Sequence, residues 1–372
     1  MYYFVRGPLM WVAFLMFIGG IVLRTVQFFS VTKKKKRLYY TSNKKRQSAY
    51  SNSDYSPEEQ KINMVLSLRN SLIGTHPVDA VSTSLFHILL FIIPLFLVAH
   101  NNLLYESWKI RLWTFSESTA NKLTVIFLVL ALFFFVRRVL VRKVRVITTT
   151  SDYLVFLITV APFLTGFIAY HQWFDYNTIL IIHIVAGELM LAAIAFTKLG
   201  HMVFFFFARF LIGGEYSLGP GTRIWWLKDK AKVGRPIAKA EARPVDTEKI
   251  RAMLDQKKEK MKLLLSLCAH CGLCAESCFL YMSHGRDPKY MPSFKVINSL
   301  GRLYKKKGKV DRVTLNEIKE IVWKHCVLCR RCYCPLGIDI PDMIAFARSI
   351  CRSQGIYGVY PHSLGEPDDN KH

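Results

Sequence analysis

The sequence predicts an all-α membrane protein in two parts, a five-helix transmembrane bundle followed by a mainly helical, cysteine-rich domain in the cytoplasm. Two observations predict the division. Several apolar runs in the first part approach the roughly 20 residues a helix needs to cross a bilayer. All nine cysteines lie between Cys268 and Cys351, and the preceding two-thirds of the chain has none. A third observation gives the bundle a purpose: four histidines sit at two matched depths on the second and fifth runs.

The spans read as Pro8 to Ser30, Val81 to Leu104, Lys122 to Val141, Asp152 to His171, and Thr178 to Phe207. The first begins too close to Met1 and runs too long for a cleaved signal, so it reads as a retained anchor with Arg24 snorkelling near its end. Basic clusters set the sidedness. KKKKR (33 to 37) and KKR (44 to 46) follow span one, and Arg137, Arg138, Arg142, Lys143 and Arg145 follow span three. Both loops are expected on the cytoplasmic side. After span two, Lys109 and Arg111 are offset by Glu106 and Glu117, and QWFDYN after span four carries no basic residue. These face outward, which puts the N-terminus outside and every cysteine in the cytoplasm. A net charge of +25 would suit nucleic acid, but the juxtamembrane clusters are explained by topology and anionic lipid. No nucleic-acid partner is expected.

Histidine inside a membrane span is a functional hypothesis by default. Spans two and five run in opposite directions, so His87 lies level with His201 at the inner end, and His100 with His183 at the outer end. Each pair can hold a haem iron from opposite sides, as in a low-spin b-type cytochrome, giving two haem b groups. His183 and His201 are 18 residues apart, which returns to the same helix face at about 100° per residue. His87 and His100 fit less well, about 140° apart on an ideal helix, although Pro94 between them can kink it. His76, nearly on the face of His87, is the alternative to His100. The other reading of all four is interhelical hydrogen bonding. Glu188 and His171 are candidates to accept protons from a quinol near the outer pair, and Lys198 to meet a haem propionate. Gly187 offers a close approach for a macrocycle or for another helix.

A glycine-rich segment, GGEYSLGPGTRIWW (213 to 226), reads as returning along the interface. Residues 246 to 267 read as a helix capped by Asp246, delivering CAHCGLCAESC with Cys268, Cys271, Cys274 and Cys278 at C-x2-C-x2-C-x3-C. Three thiolates on one tight turn can occupy three corners of a [4Fe-4S] cube, with the fourth carried to a second cube. HCVLCRRCYCP supplies Cys326, Cys329, Cys332 and Cys334, its last interval two residues shorter than the usual C-x3-C-P. Eight ligands make two [4Fe-4S] clusters. Either Cys278 and Cys334 exchange cubes or each run holds its own. Structural zinc is the competing reading. Helices are expected at Leu315 to Trp323, capped by Thr314, and at Pro341 to Ser353, with Cys351 a buried thiol. The boundaries fall at 1–210 for the bundle, 211–245 for the linker, 246–353 for the cysteine domain and 354–372 for the tail.

The paired histidines on the second and fifth spans resemble the nitrate reductase gamma-subunit type of dihaem cytochrome b. CAHCGLCAESC and HCVLCRRCYCPLGIDIP resemble the two-cluster iron-sulfur subunit of heterodisulfide reductases. The combination is similar to the membrane subunit of quinone-interacting oxidoreductase complexes, with the two portions in reverse order. The resemblance implies a five-helix transmembrane dihaem cytochrome b bundle with a mainly helical, two-cluster ferredoxin-like cytoplasmic domain. It also implies a quinone, menaquinone in particular, a prokaryotic inner membrane, and a hetero-oligomeric respiratory complex with a heterodisulfide reductase-like iron-sulfur or flavin subunit. The chain has no G-x-G-x-x-G nucleotide fingerprint, so the terminal reaction is expected on that partner. The alternatives are a zinc-stabilised membrane anchor and a self-contained disulfide or thiol reductase.

Overall fold

A computed structural model describes residues 2–33, 74, 76–202, 244–329 and 331–358. It divides into two compact units, Met1–Arg223 with Ser266–Cys271, and Ile224–Leu265 with Gly272–His372. Among the described residues all regular structure is helical. The lysine-rich stretch from 34 to 73 and the segment 213 to 226 lie outside them.

In the first unit five helical spans are long and apolar enough to cross a membrane: Tyr2–Ser30, Pro77–Phe96, Glu117–Leu140, Thr150–His171 and Tyr176–Phe196. We label the helices α1 (Met10–Lys33), α2 (Pro77–Phe96), α3 (Val98–Trp108), α4 (Glu117–Leu140), α5 (Thr150–His171) and α6 (Tyr176–Phe196). A π turn at Val5–Leu9, containing Pro8, starts the first span earlier than expected. Leu15, Leu132 and Leu157 are each more than 60% exposed, as suits side chains that face lipid rather than water. The interior is aromatic. Phe127 of α4 is fully buried and stacks on Phe86 of α2 at 4.7 Å and Phe163 of α5 at 4.0 Å.

Two of the expected spans are broken. Val81 to Leu104 is not one helix, because Leu97 turns extended (φ −72°, ψ 133°) between α2 and α3. A break orphans backbone carbonyls, and each must find a donor. Pro94 O accepts from His100 Nδ1 at 2.9 Å, Leu95 O from Asn101 Nδ2 at 2.8 Å, and Phe96 O from Phe115 N–H at 3.0 Å. The fifth span ends at Phe196, where Thr197 is extended and Lys198–Gly200 forms a 3-10 turn. Here Arg24 does not snorkel away; its guanidinium donates to Ala195 O and Phe196 O, each at 3.4 Å. The ideal-helix relation between His183 and His201 therefore does not apply.

Gly20 lets α1 meet α6, since a Cβ there would stand 2.4 Å from that of Ala195. Gly187 plays no such packing part: a Cβ there would meet nothing within 4 Å.

In the second unit the expected helix at 246 to 267 is two, α7 (Thr247–Gln256) and α8 (Lys258–Ser266), separated at Lys257. Asp246 caps α7 by accepting from Lys249 N–H at 2.8 Å. The helix expected at Leu315 to Trp323 begins earlier, as α9 (Arg312–Lys319), because Asp311 and not Thr314 is its cap. Its continuation as a π turn carries Trp323. α10 (Ile340–Ser353) is capped by Asp339. Ile250, Leu300, Leu303, Leu315, Ile318, Met343 and Ile344 are fully buried and form the core. Cys351 joins them, and burial pushes its thiol up to about 12, marking it as inert packing.

Candidate functional site

Two histidine pairs form inside the first unit. His87 and His201 have ring centroids 5.9 Å apart and crossed planes (82°). His100 and His183 are 6.0 Å apart with nearly parallel planes (16°). All four use the same ring nitrogen in the same way. Nδ1 of His87 donates to Thr83 O at 2.7 Å, that of His100 to Pro94 O at 2.9 Å, that of His183 to Pro162 O at 2.9 Å, and that of His201 to Lys198 O at 2.6 Å. A carbonyl can only accept, so Nδ1 carries the proton and Nε2 keeps its lone pair. That is the tautomer a metal-ligating histidine needs. A metal about 2 Å from each of two imidazole nitrogens sets ring centroids about 6 Å apart, so both pairs have room for one ion between them. The helix breaks do the aiming: His100 and His201 both follow one and bond a carbonyl close before it or beside it.

The other candidates are placed differently. His76 stands at the N-cap position of α2. His171 lies among Phe167, Tyr170 and Trp173, with Nε2 3.3 Å from Asn121 Oδ1. Glu188 is 5% exposed, and neither carboxylate oxygen has a hydrogen-bond partner among the described residues. Lys198 is engaged by Asp152 at 2.8 Å, so the propionate role read from the sequence is filled by another anion.

The cysteine runs turn tightly because backbone at matching positions is left-handed. His270, before Cys271, has φ 52°, and Leu328, before Cys329, has φ 51°. Non-glycine residues rarely adopt this, and such strain gathers at functional sites. Gly272 at φ 74° turns the first run onward. Cys268 and Cys271 fall in the first unit, and Cys274, Cys278, Cys326, Cys329, Cys332 and Cys334 in the second.

Within the second unit a small cavity is lined by Cys278, Cys326, Cys329, Cys332, Lys295 and Ile340, among others. Ser277 joins the two runs beside it, accepting from Tyr333 N–H at 2.9 Å. Cys274 S–H donates to Ser293 Oγ at 3.3 Å, and as a thiolate it would accept from the same hydroxyl. Arg348 fastens the second run from below, donating to Val322 O at 2.8 Å and Cys326 O at 2.5 Å.

Burial pushes the Cys332 thiol up, and the neighbouring Cys326, Cys274, Cys278 and Cys329 push it further. Thiolates so crowded cannot ionise together without a cationic centre to compensate them. The donor set therefore fits an iron-sulfur cluster. Sequence reasoning missed Lys295. It is 2% exposed and donates to Cys278 Sγ at 3.4 Å; a lysine 17 residues beyond the cysteine gives no sequence signal for that contact.

Comparison with known proteins agrees with this chemistry. The 4Fe-4S dicluster domain family matches residues 264–338. A protein of Nitratidesulfovibrio vulgaris is 31% identical over 236 residues, covering 59% of this chain and 96% of that protein. An Hdr-like menaquinol oxidoreductase iron-sulfur subunit of Archaeoglobus profundus is 32% identical over 117 residues, 27% of this chain and 20% of that subunit. The Hdr-like menaquinol oxidoreductase iron-sulfur subunit 2 of Archaeoglobus fulgidus is 34% identical over 123 residues, 29% of this chain and 22% of that subunit. The chain thus spans about a fifth of the length of the two archaeal subunits. No solved structure matches the chain. The chain carries a 4Fe-4S dicluster domain and belongs to the same family as the Nitratidesulfovibrio vulgaris protein.

Proposed function

We propose that this chain is the membrane subunit of a respiratory oxidoreductase complex, linking the quinone pool to a cytoplasmic catalytic partner. The observation that carries it is the Nδ1-to-carbonyl hydrogen bond shared by all four membrane histidines, with two rings about 6 Å from two others. His87 and His201 would hold an inner haem b, and His100 and His183 an outer one. Cys268, Cys271, Cys274, Cys278, Cys326, Cys329, Cys332 and Cys334 would hold two [4Fe-4S] clusters. When bound, these groups supply one-electron carriers that make the chain a conduit.

The names of the two archaeal relatives support menaquinone as the quinone and a hetero-oligomeric assembly. The resemblance of the cysteine runs to heterodisulfide reductases implies that the catalytic partner is a heterodisulfide reductase-like iron-sulfur or flavin subunit. The basic loops support an N-terminus outside and clusters in the cytoplasm, and the organisms of the relatives support a prokaryotic inner membrane. Inside the fifth span Glu188 offers a buried carboxylate with no hydrogen-bond partner among the described residues, and at the end of the fourth His171 offers a more exposed imidazole, both able to accept quinol protons.

The purified protein is expected to show two b-type haems by optical spectroscopy and about eight non-haem irons by analysis. Zinc without iron, and no Soret or α band, would establish the membrane-anchor reading instead. Turnover of a disulfide by the isolated chain would establish the reductase reading.

Two substitutions refine the assignment. A Cβ on Gly166 would stand 3.0 Å from His183 Cε1 and 3.3 Å from Nδ1. Gly166→Val is therefore expected to push the ring off Pro162 O and cost more than half of the outer haem, read as the loss of one α-band component. Lys295→Met removes a buried cation beside Cys278. The reduced cluster carries the extra negative charge, so its potential should fall by on the order of 100 mV in an EPR-monitored titration. An unchanged potential would separate Lys295 from the cluster.

A further inference from the structure

Ser266–Cys271 belongs to the same unit as the membrane helices, and a set of charged side chains holds it there. His270 is 5% exposed, and its Nδ1 donates to Asp152 Oδ2 at 2.8 Å. Asp152, 6% exposed at the start of α5, accepts on the same oxygen from Thr149 N–H at 2.7 Å and Thr149 O–H at 2.8 Å. Its other oxygen takes the Lys198 ammonium at 2.8 Å. Lys198 Nζ also lies 3.2 Å and 3.3 Å from the two ring nitrogens of His270. One residue on, Arg137 donates to Cys271 O at 3.2 Å while pairing with Asp79 at 3.0 Å.

We propose that Asp152, Lys198 and His270 form a clamp that positions the first cysteine turn at the inner histidine level, with Arg137 as its second point of attachment. The inference rests on the haem and cluster reading above. Lys198 is the joint. Its side chain meets His270, between Cys268 and Cys271, and its carbonyl oxygen accepts from His201 Nδ1 at 2.6 Å. The first cysteine turn is thereby connected to an inner histidine through one lysine residue. With a haem and a cluster bound, the electron that one gave up would be the one the other gained, in either direction, and no atom would change place. Leu328, at the equivalent position of the second run, has no ring nitrogen to offer, so the clamp belongs to the first run alone. These are positioning residues and touch neither the quinone nor a reacting atom.

The test uses the full chain and the variants Asp152→Asn, Lys198→Met and Lys198→Arg. Hydrogen exchange is measured for peptides covering 266–271, with 326–329 as the internal control. Loss of a charge-assisted contact should raise exchange at 266–271 by about tenfold or more in the first two variants, with the control unchanged. Lys198→Arg should restore protection, since it keeps the cation. In the same samples the EPR line shape of one cluster and the rate of haem-to-cluster electron exchange should change for Asp152→Asn and Lys198→Met, and return in Lys198→Arg. Unaltered exchange at 266–271 in both disrupting variants overturns the clamp. So does altered exchange with an unchanged electron-exchange rate, which leaves only a structural tie. Absence of haem from the wild-type chain overturns the earlier reading instead, and the exchange result then decides the clamp alone.

Discussion

Replacing His100 by alanine is expected to lower the haem content of the purified protein from two to about one per chain, while His76→Ala leaves both. The two residues compete for one role in the sequence, and simple helix geometry favours His76. His76 and His87 are eleven residues apart and share a face, whereas His87 and His100 are about 140° apart on an ideal helix. The break at Leu97 removes that objection, because His100 does not lie on the helix of His87. Its ring is fixed by Pro94 O at 2.9 Å and lies 6.0 Å from that of His183.

The loss should also be specific. His183→Ala should remove the same α-band component as His100→Ala, and His87→Ala or His201→Ala the other. A ligand deletion frees one axial position, and a hydrophobic site with one remaining imidazole retains little low-spin haem. If His76→Ala removes a haem and His100→Ala does not, the pairing at the outer end is wrong and α3 has another purpose.

The sequence carried the spans and the cysteine runs well, for a physical reason. Twenty apolar residues and a C-x2-C-x2-C run are local patterns, each complete within one stretch of chain. The histidine pairings were legible too, since His87 meets His201 and His100 meets His183. What was not legible is whatever a break or a distant partner decides. Neither break falls at a glycine, and the carbonyls of Pro94, Leu95, Phe96, Ala195 and Phe196 just before them are satisfied by His100, Asn101, Phe115 and Arg24. Lys198 read as a partner for a haem propionate because Asp152 is 46 residues away. His270 gave no signal between the cysteines because its partner lies 118 residues back. Asp311 rather than Thr314 caps α9 because the aspartate, three residues before Thr314, reaches its N–H. A hydroxyl and a carboxylate three residues apart are equally plausible caps on sequence alone.

Cys278→Ser is expected to abolish the same cluster signal as Cys332→Ser, although the two residues belong to different runs. The short interval between Cys332 and Cys334 left two wirings open, since their Cα atoms can be no more than about 7 Å apart. The cavity favours one of them. Cys278 lines it together with Cys326, Cys329 and Cys332, and Cys334 does not. Ser277 and Tyr333, immediately beside Cys278 and Cys332, are hydrogen-bonded to each other at 2.9 Å, so the end of the first run is tied to the second. Four thiols around one space supply four corners, which is the wiring in which Cys278 and Cys334 exchange cubes. Iron content should fall from about eight to about four non-haem atoms in either variant, and the surviving EPR signal should be identical in the two. Cys271→Ser and Cys334→Ser should spare that cavity and lose the complementary signal. Should Cys278→Ser instead lose the signal that Cys271→Ser loses, each run holds its own cube. Lys295 would then sit beside the first cluster, and its effect on potential should move to that signal as well.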